Sequence, residues 1–329
     1  DYPSNMSKHV RDPKIYEKDG YYYMIQGGRD DENRGCVLLF QSDNLKDWKW
    51  YDTVYSKQPF GYMWECPDLF EIDGQQIMTC CPQGVEQQGY EYQNVYQCGY
   101  FPVSFDMENK KYEFSEFTEL DKGFDIYATQ TFQDEKGRRI LIGWMGIPDA
   151  EYDNDATVSY DWIHALTMPR ELSFKDGKLL QKPLKEMQQL RKNEFHCALS
   201  EFVQWEPKDS CFELHIDFEE RTEKNSSVKI QLREDVFLSW EKGLFRLNMG
   251  KSGHGRKERI AEIKQLRNLT IFSDTSAIEI FINDGENVMT TRVYSENLEQ
   301  KVTFLSKGNV GNVAGYELGS FVIEKHEEK

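Results

Sequence analysis

The sequence predicts an all-β chain in which the blades of an incomplete β-propeller precede a β-sandwich. A hairpin unit near the start recurs 54 residues later without a gap. Short alternating strands, separated by glycine-containing turns, fill most of the remaining chain. Aromatic residues make up 14% of the 329 positions, and aromatic side chains favour strands. Together these observations favour β structure throughout.

The repeated unit is a strand, a tight turn and a returning strand. Residues 11–20 (RDPKIYEKDG) align with residues 65–74 (ECPDLFEIDG). Each unit ends in Asp-Gly, which supplies the positive φ angles of a type I′ hairpin turn. The returning strands are predicted at 21–25 and 75–79, and a further strand at 36–40.

Two weaker copies of the unit follow. One runs from Ile126 through a turn at Lys136-Gly137 to Trp144, and the other covers residues 169–177. Four-stranded units spaced by roughly 50 residues are typical of propeller blades. About three to four blades fit before residue 183, and a closed propeller needs at least one more. We therefore expect that an N-terminal blade region is missing from this chain.

The first domain is expected to end at the Lys182-Pro183 step, which gives a partial propeller over residues 1–183. Residues 184–192 carry apolar side chains at i, i+3 and i+6, and this spacing predicts a short linker helix. Residues 193–329 alternate in short strands and include a hairpin signal at Asn283-Asp284-Gly285. Such strands predict a C-terminal β-sandwich.

Charge and cysteine content exclude several classes of function. Lys and Arg number 40 against 57 Asp and Glu, a formal net charge of −17, which repels nucleic acid and anionic membranes. No apolar run is long enough to span a membrane. The seven cysteines are an odd number without metal-ligand spacing, so neither a metal nor another cofactor is expected. Reduced thiols indicate a cytoplasmic protein.

Carboxylates dominate the candidate functional residues. The innermost strand of each propeller blade faces the central axis, so the repeat is expected to bring Arg11, Asp12 and Glu65 together. One carboxyl group can protonate a leaving oxygen while another stabilises an oxocarbenium-like transition state, which is glycosidase chemistry. The alternative is that Arg11 and Glu65 form a salt bridge that only joins neighbouring blades. The pattern alone leaves both interpretations open.

Five stretches resemble the motifs of glycoside hydrolase family 32. They are RDP at 11–13, ECPD at 65–68, DIYATQTF at 125–132, IGWMG at 142–146 and LTMPREL at 166–172. They occur in the family's order, and the likeness covers essentially the whole chain. The family includes invertases, sucrose-6-phosphate hydrolases, inulinases and levanases. The resemblance implies a five-bladed propeller, incomplete here, and a small-molecule sugar substrate such as sucrose or sucrose 6-phosphate.

The resemblance also implies roles for individual residues. Glu65 is expected to be the general acid/base of a retaining double displacement, and Asp12 to stabilise the transition state by holding fructosyl hydroxyls. Arg11 lies beside them as a substrate-binding residue. Cys66 is expected to help exclude water around Glu65, with an inert buried thiol as the alternative.

Four more residues are candidates for substrate binding. Asp125 and Tyr127 belong to a segment that lies near the acid/base in the family, although Tyr127 is alternatively a core aromatic residue. Trp144 and Trp162 can each present a ring face to a sugar or pack in the core instead.

One family motif has no counterpart in this chain. The nucleophile's Asn-Asp-Pro-Asn-Gly sequence occurs nowhere, and ten residues precede Arg11. The chain is then either an expressed or proteolytic fragment or the product of a disrupted gene, and its partner is the missing N-terminal segment. We predict that the isolated chain is inactive as a hydrolase, because double displacement cannot start without the nucleophile.

Other functions remain open at this stage. They are a non-catalytic carbohydrate-binding or structural fragment, an inulinase or levanase specificity, and a propeller glycosidase that acts on arabinan or xylan. The last explains the sandwich domain and the paired RDP and ECP motifs less well.

Overall fold

The computed structural model describes residues 2–219, 226–296 and 300–321. Within those residues nearly all regular structure is β-strand, and the helical segments are short 3-10 helices. The chain divides into two units. The first comprises Asp1–Lys182 and Gly285–Arg292, and the second comprises Pro183–Asp284 and Val293–Lys329.

The first unit contains three antiparallel propeller blades among its described residues. The first blade consists, in sheet order, of β1 (Met6–Lys18), β2 (Tyr21–Asp30), β3 (Gly35–Ser42) and β4 (Lys49–Val54). The second consists of β5 (Met63–Ile72), β6 (Gln75–Gln83), β7 (Gly99–Asp106) and β8 (Lys111–Phe114), with β9 (Thr118–Glu119) paired to β7.

The third blade contains β10 (Tyr127–Gln133), β11 (Arg139–Met145), β12 (Ala165–Leu166), β13 (Arg170–Lys175) and β14 (Lys178–Pro183). Its sheet order is β10-β11-β13-β14, and β12 pairs with β11. Closed propellers typically have about four to eight blades. The three blades in the described part of the chain therefore confirm the predicted incomplete propeller.

The hairpin turns of the first two blades have the backbone conformation that the repeat predicts. φ is +53° at Asp19 and +78° at Gly20, and it is +49° at Asp73 and +80° at Gly74. Positive φ at both central residues is the requirement of a type I′ turn, whose twist matches that of the flanking strands. The two Asp-Gly pairs therefore set equivalent registers in β1–β2 and β5–β6.

Apolar side chains on both faces of the second blade hold the first unit together. One buried cluster joins Ile25 of the first blade to Trp64 of the second. A second cluster joins Ile77 of the second blade to Leu141 of the third. Close approach of β2 to β5 requires Gly27, because a Cβ there would lie 2.1 Å from the backbone oxygen of Trp64.

The strands after the propeller are mostly those of the predicted β-sandwich. They are β15 (Arg191–Leu199), β16 (Phe202–Trp205), β17 (Phe212–Phe218), β18 (Ser227–Arg233), β19 (Val236–Glu241), β20 (Leu244–Met249), β21 (Glu258–Glu262), β22 (Asn268–Asp274), β23 (Ala277–Ile282), β24 (Asn287–Arg292), β25 (Val302–Lys307) and β26 (Gly311–Leu318). Within the second unit one sheet has the order β15-β26-β17-β22-β23, and the other has the order β16-β25-β18-β19-β20-β21.

The segment predicted as a linker helix contains a 3-10 helix, Lys185–Leu190, and β15 begins directly after it. A 3-10 helix has three residues per turn, so the apolar spacing of Leu184, Met187 and Leu190 places them on one face. That spacing of three therefore suits a 3-10 helix. The other two 3-10 helices in the described residues are Asp155–Tyr160 and Lys251–Gly253.

Residues 285–292 group with the first unit, whereas the sequence partition places them in the sandwich. The Thr290 N–H donates to Asp121 Oδ1 at 2.8 Å. The Thr290 carbonyl accepts from the N–H groups of Phe124 at 2.8 Å and Asp125 at 3.0 Å. The fully buried Arg170 guanidinium donates to Asp121 at 3.2 Å and to the Thr290 hydroxyl at 2.6 Å. Buried polar groups require such partners, so this segment is integral to the first unit.

Candidate active site

The innermost strands of the three blades share a bulge at one point. The register of each hairpin shifts directly after Arg11, Glu65 or Tyr127. The residue that follows has a left-handed φ in every case, +60° at Asp12, +48° at Cys66 and +49° at Ala128. A bulge bends its strand and redirects the neighbouring side chain. Three equivalent positions, one in each blade, therefore present their side chains to the same place.

Glu65 lies at the centre of this convergence. Its Oε1 accepts from Arg11 Nε at 2.8 Å and contacts Arg11 Nη2 at 2.7 Å. Its Oε2 accepts from the Tyr127 hydroxyl at 2.6 Å and from Gln83 Nε2 at 2.7 Å. Donors from all three blades thus fix one carboxylate, whose side chain is 15% exposed.

The second carboxylate, Asp12, lies against the bulge that follows Glu65. The backbone N–H of Cys66 donates to Asp12 Oδ2 at 3.0 Å, and the Cys66 thiol lies 3.7 Å from the same oxygen. Cys66 is half-buried and packs against a cluster that includes Cys81. Burial raises the pKa of the Cys81 thiol well above its ordinary value. Cys66 therefore holds Asp12 through its backbone and separates it from an apolar interior.

A second polar layer lies three residues further along each inner strand. Asp68 Oδ2 accepts the backbone N–H and the hydroxyl of Thr131 at 3.0 and 2.7 Å. Lys14 Nζ lies 3.6 Å from Asp68 Oδ2 and donates to Gln130 Oε1 at 3.2 Å and to the Thr131 carbonyl at 2.7 Å. This layer joins the three blades behind the Glu65 site.

Aromatic rings flank Glu65 on the side of the third blade. The Tyr127 ring meets Trp144 edge-on, with centroids 6.5 Å apart, and Trp144 meets His164 at 5.1 Å. Burial, which is the main cause, and the hydrogen bond to Glu65 raise the pKa of the Tyr127 hydroxyl, which therefore stays a donor. Trp144 Nε1 is buried and has no hydrogen-bond acceptor within the described part of the chain.

Asp125 and Trp162 both contact Arg292. Asp125 is fully buried, and its Oδ2 accepts the backbone N–H of Arg292 at 2.7 Å. Trp162 is 42% exposed, and the Arg292 guanidinium lies 5.2 Å from its ring centroid. Asp125 lies just before β10, so its contact with Arg292 of the same unit fixes the start of that strand. Contact of either residue with a substrate stays a prediction.

Three residues of the site were not predicted from the sequence, namely Gln83, Lys14 and Asp68. Gln83 ends β6 opposite Met63, two residues before Glu65 on β5, and nothing in the local sequence marks its direction. Lys14 and Asp68 occupy equivalent places in the repeat, three residues after Arg11 and Glu65. The opposite charges at those places were the signal that could have identified the second layer.

The described residues contain no group of three or more His, Cys, Asp or Glu side chains suited to a metal ion. None of the helices in that part of the chain is long and apolar enough to cross a membrane.

Family models match both units of the chain. The model for the glycosyl hydrolases family 32 N-terminal domain matches residues 1–183, and the model for the family 32 C terminal matches residues 178–319. Sucrose-6-phosphate hydrolase of Bacillus subtilis is 38% identical over 94% of this chain, and that of Staphylococcus xylosus is 38% identical over 89%. The chain spans 67% and 62% of the lengths of these two relatives.

Solved structures give the same family. Sucrose-6-phosphate hydrolase from Lactobacillus gasseri is 28% identical with a TM-score of 0.86, over 97% of this chain and 68% of that one. A mutant of the Bombyx mori GH32 beta-fructofuranosidase in complex with sucrose is 30% identical with a TM-score of 0.82, over 96% of this chain and 67% of that one.

Proposed function

The chain belongs to glycosyl hydrolase family 32, and from that membership we propose that it carries the acid/base part of a retaining glycosidase site for sucrose-type substrates. One observation carries the proposal. Donors from three blades fix the Glu65 carboxylate, and Asp12 accepts the backbone N–H of Cys66, the residue that follows Glu65. Such convergence suits a bond cleavage that needs one carboxyl group as proton donor and another as a stabiliser of positive charge.

Glu65 is the proposed general acid/base. Four N–H or O–H groups already surround its oxygens, so proton transfer to a glycosidic oxygen requires one donor to give way. Arg11 is 36% exposed, whereas Tyr127 is 3% exposed. Arg11 is therefore the donor that an incoming sugar displaces. The ion pair between Arg11 and Glu65 is then present only while the site is empty.

Asp12 is the proposed stabiliser of the oxocarbenium-like transition state. A carboxylate held by a backbone N–H keeps a fixed direction, and fixed charges stabilise developing charge without reorganisation. Cys66 supplies that N–H and limits water next to the pair. Tyr127 and Trp144 form the proposed sugar-facing wall. Asp125 and Trp162 are proposed to support this wall through Arg292.

The nucleophile is proposed to come from an N-terminal segment that acts as the chain's partner. A retaining mechanism needs a second carboxylate about 5–5.5 Å from the acid, and the family's nucleophile motif is absent from these 329 residues. We infer that the isolated chain does not hydrolyse sucrose.

Sucrose 6-phosphate or sucrose is the proposed substrate, because the sucrose-6-phosphate hydrolases named above are 38% identical to this chain over the aligned residues. An inulinase or levanase specificity, or a non-catalytic sugar-binding fragment, is the alternative. A cytoplasmic location is proposed as well. All seven cysteines are free thiols, which suits a reducing compartment.

The first experiment joins the N-terminal part of a family 32 relative, including its nucleophile motif, ahead of residue 1. We expect the chimera to release fructose from sucrose 6-phosphate or sucrose, and the isolated chain to release none. Glu65→Gln in the chimera is expected to lower kcat by about 10²–10⁴, the usual contribution of a general acid. Glu71→Gln is the matched control, because Glu71 is an exposed residue of the same strand.

A second measurement does not depend on the chimera. Calorimetric titration of the isolated chain with sucrose is expected to show binding that Asp12→Asn and Glu65→Gln weaken and Glu71→Gln leaves unchanged. Clear turnover by the isolated chain would contradict the external nucleophile. Full activity of the Glu65→Gln chimera would contradict the acid/base assignment.

A further inference from the structure

The second unit contains a hollow on the outer face of the sheet that includes β25, β18, β19 and β20. Its volume is about 300 Å³, which suits a ligand of monosaccharide size. The strands beneath it are paired without interruption, so the backbone forms a continuous floor. The hollow lies within the second unit and has no residue in common with the Glu65 site.

Two serines create this hollow. Leu305, Lys229, Ser239 and Arg246 are opposite one another on four successive strands. Residues two positions along a strand share its face, and there Ser227 lies between Lys307 and Glu241. Short side chains between long ones leave a depression.

The walls of the hollow are unusually basic for this protein. Lys229, Arg246 and Lys307 line it, and within the described residues none of them forms an ion pair with a carboxylate. Lys229 lies over the Phe237 ring, with Nζ 4.5 Å from the centroid. The chain as a whole has a net charge of −17. Three cations against the two carboxylates of Glu201 and Glu241 leave the hollow with a net positive charge in a strongly acidic chain, and this charge attracts anions.

The remaining lining groups match sugar hydroxyls. Ser239 and Ser227 offer hydroxyl groups, and the exposed carboxylates of Glu201 and Glu241 can accept hydrogen bonds from a ligand. The Trp240 indole N–H is bonded to the Ile263 carbonyl at 2.7 Å, and Trp240 lies between Ser239 and Glu241 on β19, so its side chain lies on the opposite face of the sheet and offers no group to the ligand. Cations suit a phosphate group, and the hydroxyl and carboxylate groups suit a polyol.

We propose that this hollow, the sandwich pocket, binds a phosphorylated monosaccharide, with Arg246, Lys229 and Lys307 around the phosphate. The pocket goes beyond the function proposed above, because it needs neither Glu65 nor a nucleophile. A bound sugar phosphate at this place gives the sandwich a ligand-sensing role.

Calorimetric titration of the 329-residue chain tests the sandwich pocket, with fructose 6-phosphate as the probe at low salt. We expect one saturable site that Arg246→Gln weakens at least tenfold and that Ser239→Leu abolishes by filling the hollow without a change of charge. Lys264→Gln is the matched control, because Lys264 is an exposed lysine of the same unit, forms no ion pair among the described residues and does not line the pocket. Its affinity is expected to stay within twofold of the parent chain.

Two further arms identify the ligand class and separate the two sites. Fructose and inorganic phosphate are each expected to bind at least tenfold more weakly than fructose 6-phosphate; equal affinity of inorganic phosphate overturns the sugar part of the proposal. Glu65→Gln is expected to leave the titration unchanged, whatever becomes of the proposed hydrolase chemistry. Absence of saturable binding, or binding that both Arg246→Gln and Ser239→Leu leave intact, overturns the sandwich pocket.

Discussion

The inner strands β1 and β5 have the same backbone and opposite chemistry. Each enters a bulge through a residue with left-handed φ, Asp12 in one and Cys66 in the other, and each ends in an Asp-Gly turn. β1 presents Arg11 at the position where β5 presents Glu65, and the two side chains form an ion pair. The repeat fixes where a side chain points, and substitution within it decides what that side chain does.

The third inner strand, β10, extends this comparison. Tyr127 occupies the same place before its bulge and donates to the Glu65 oxygen that Arg11 leaves open. One site therefore has a cation, an anion and a phenol from three copies of one unit. Substitutions at single positions among these equivalent residues test what each of them contributes.

The largest expected effect comes from Asp68, the member of the second polar layer in β5. Asp68→Ala removes the acceptor of two buried Thr131 donors and of Lys14, so the free energy of unfolding should fall by about 3 kcal/mol. Its counterpart in β1 is half-buried, and Lys14→Met should lower the free energy of unfolding by about 1 kcal/mol. Urea denaturation of both variants measures the difference. Equal losses would show that the buried carboxylate contributes no more to this layer than Lys14 does.

The second prediction exchanges the two charges of the Arg11–Glu65 ion pair. Arg11→Glu alone places like charges against Glu65 and should lower the free energy of unfolding by about 2 kcal/mol. Adding Glu65→Arg restores an ion pair and should recover at least half of that loss. Sucrose binding by calorimetry should be absent in both variants, since the exchange moves the carboxylate. Retained sugar binding in the exchanged variant would favour a purely structural salt bridge.

The smallest effect concerns the left-handed residue of the third bulge. Ala128 has φ of +49°, and glycine adopts that conformation without a steric penalty. Ala128→Gly should therefore raise the free energy of unfolding by about 0.5 kcal/mol, after the greater freedom of the unfolded chain is subtracted. The control is Ala314→Gly in β26, an extended strand position, which should lower it by about 0.5–1 kcal/mol. Thermal melts that shift the same way for both would contradict the strain at the bulge.

Sequence reasoning found the parts of the fold that depend on local signals. The Asp-Gly turns and the aligned proline-containing strands predicted the blades and the meeting of Arg11 with Glu65. Gln83 was missed because it approaches Glu65 from the neighbouring strand, and the bulge that sets this register leaves no compositional signal. The roles of Glu65 and Asp12 came from family motifs and stay proposals.

The features that could not be predicted depend on contacts between residues far apart in the sequence. The Asn283-Asp284-Gly285 signal correctly placed a hairpin, yet β24 belongs with the first unit because Thr290 bonds to Asp121 and Arg170. These partners are separated by 169 and 120 positions. No pattern of charge or hydropathy in either segment indicates the pairing.

This discontinuous first unit has a consequence for synthesis of the protein on the ribosome. Asp121 and Arg170 emerge long before Thr290, and residues 183–284 are translated in between. At about 5–20 residues per second, Thr290 follows roughly 8–34 s after the buried acid, 169 positions earlier, and roughly 6–24 s after the guanidinium, 120 positions earlier. During that interval the nascent blades must stay soluble although Asp121 and Arg170 do not yet have Thr290 as a partner. A gene truncated at the apparent domain boundary near residue 183 would encode a chain in which Asp121 and Arg170 never meet Thr290.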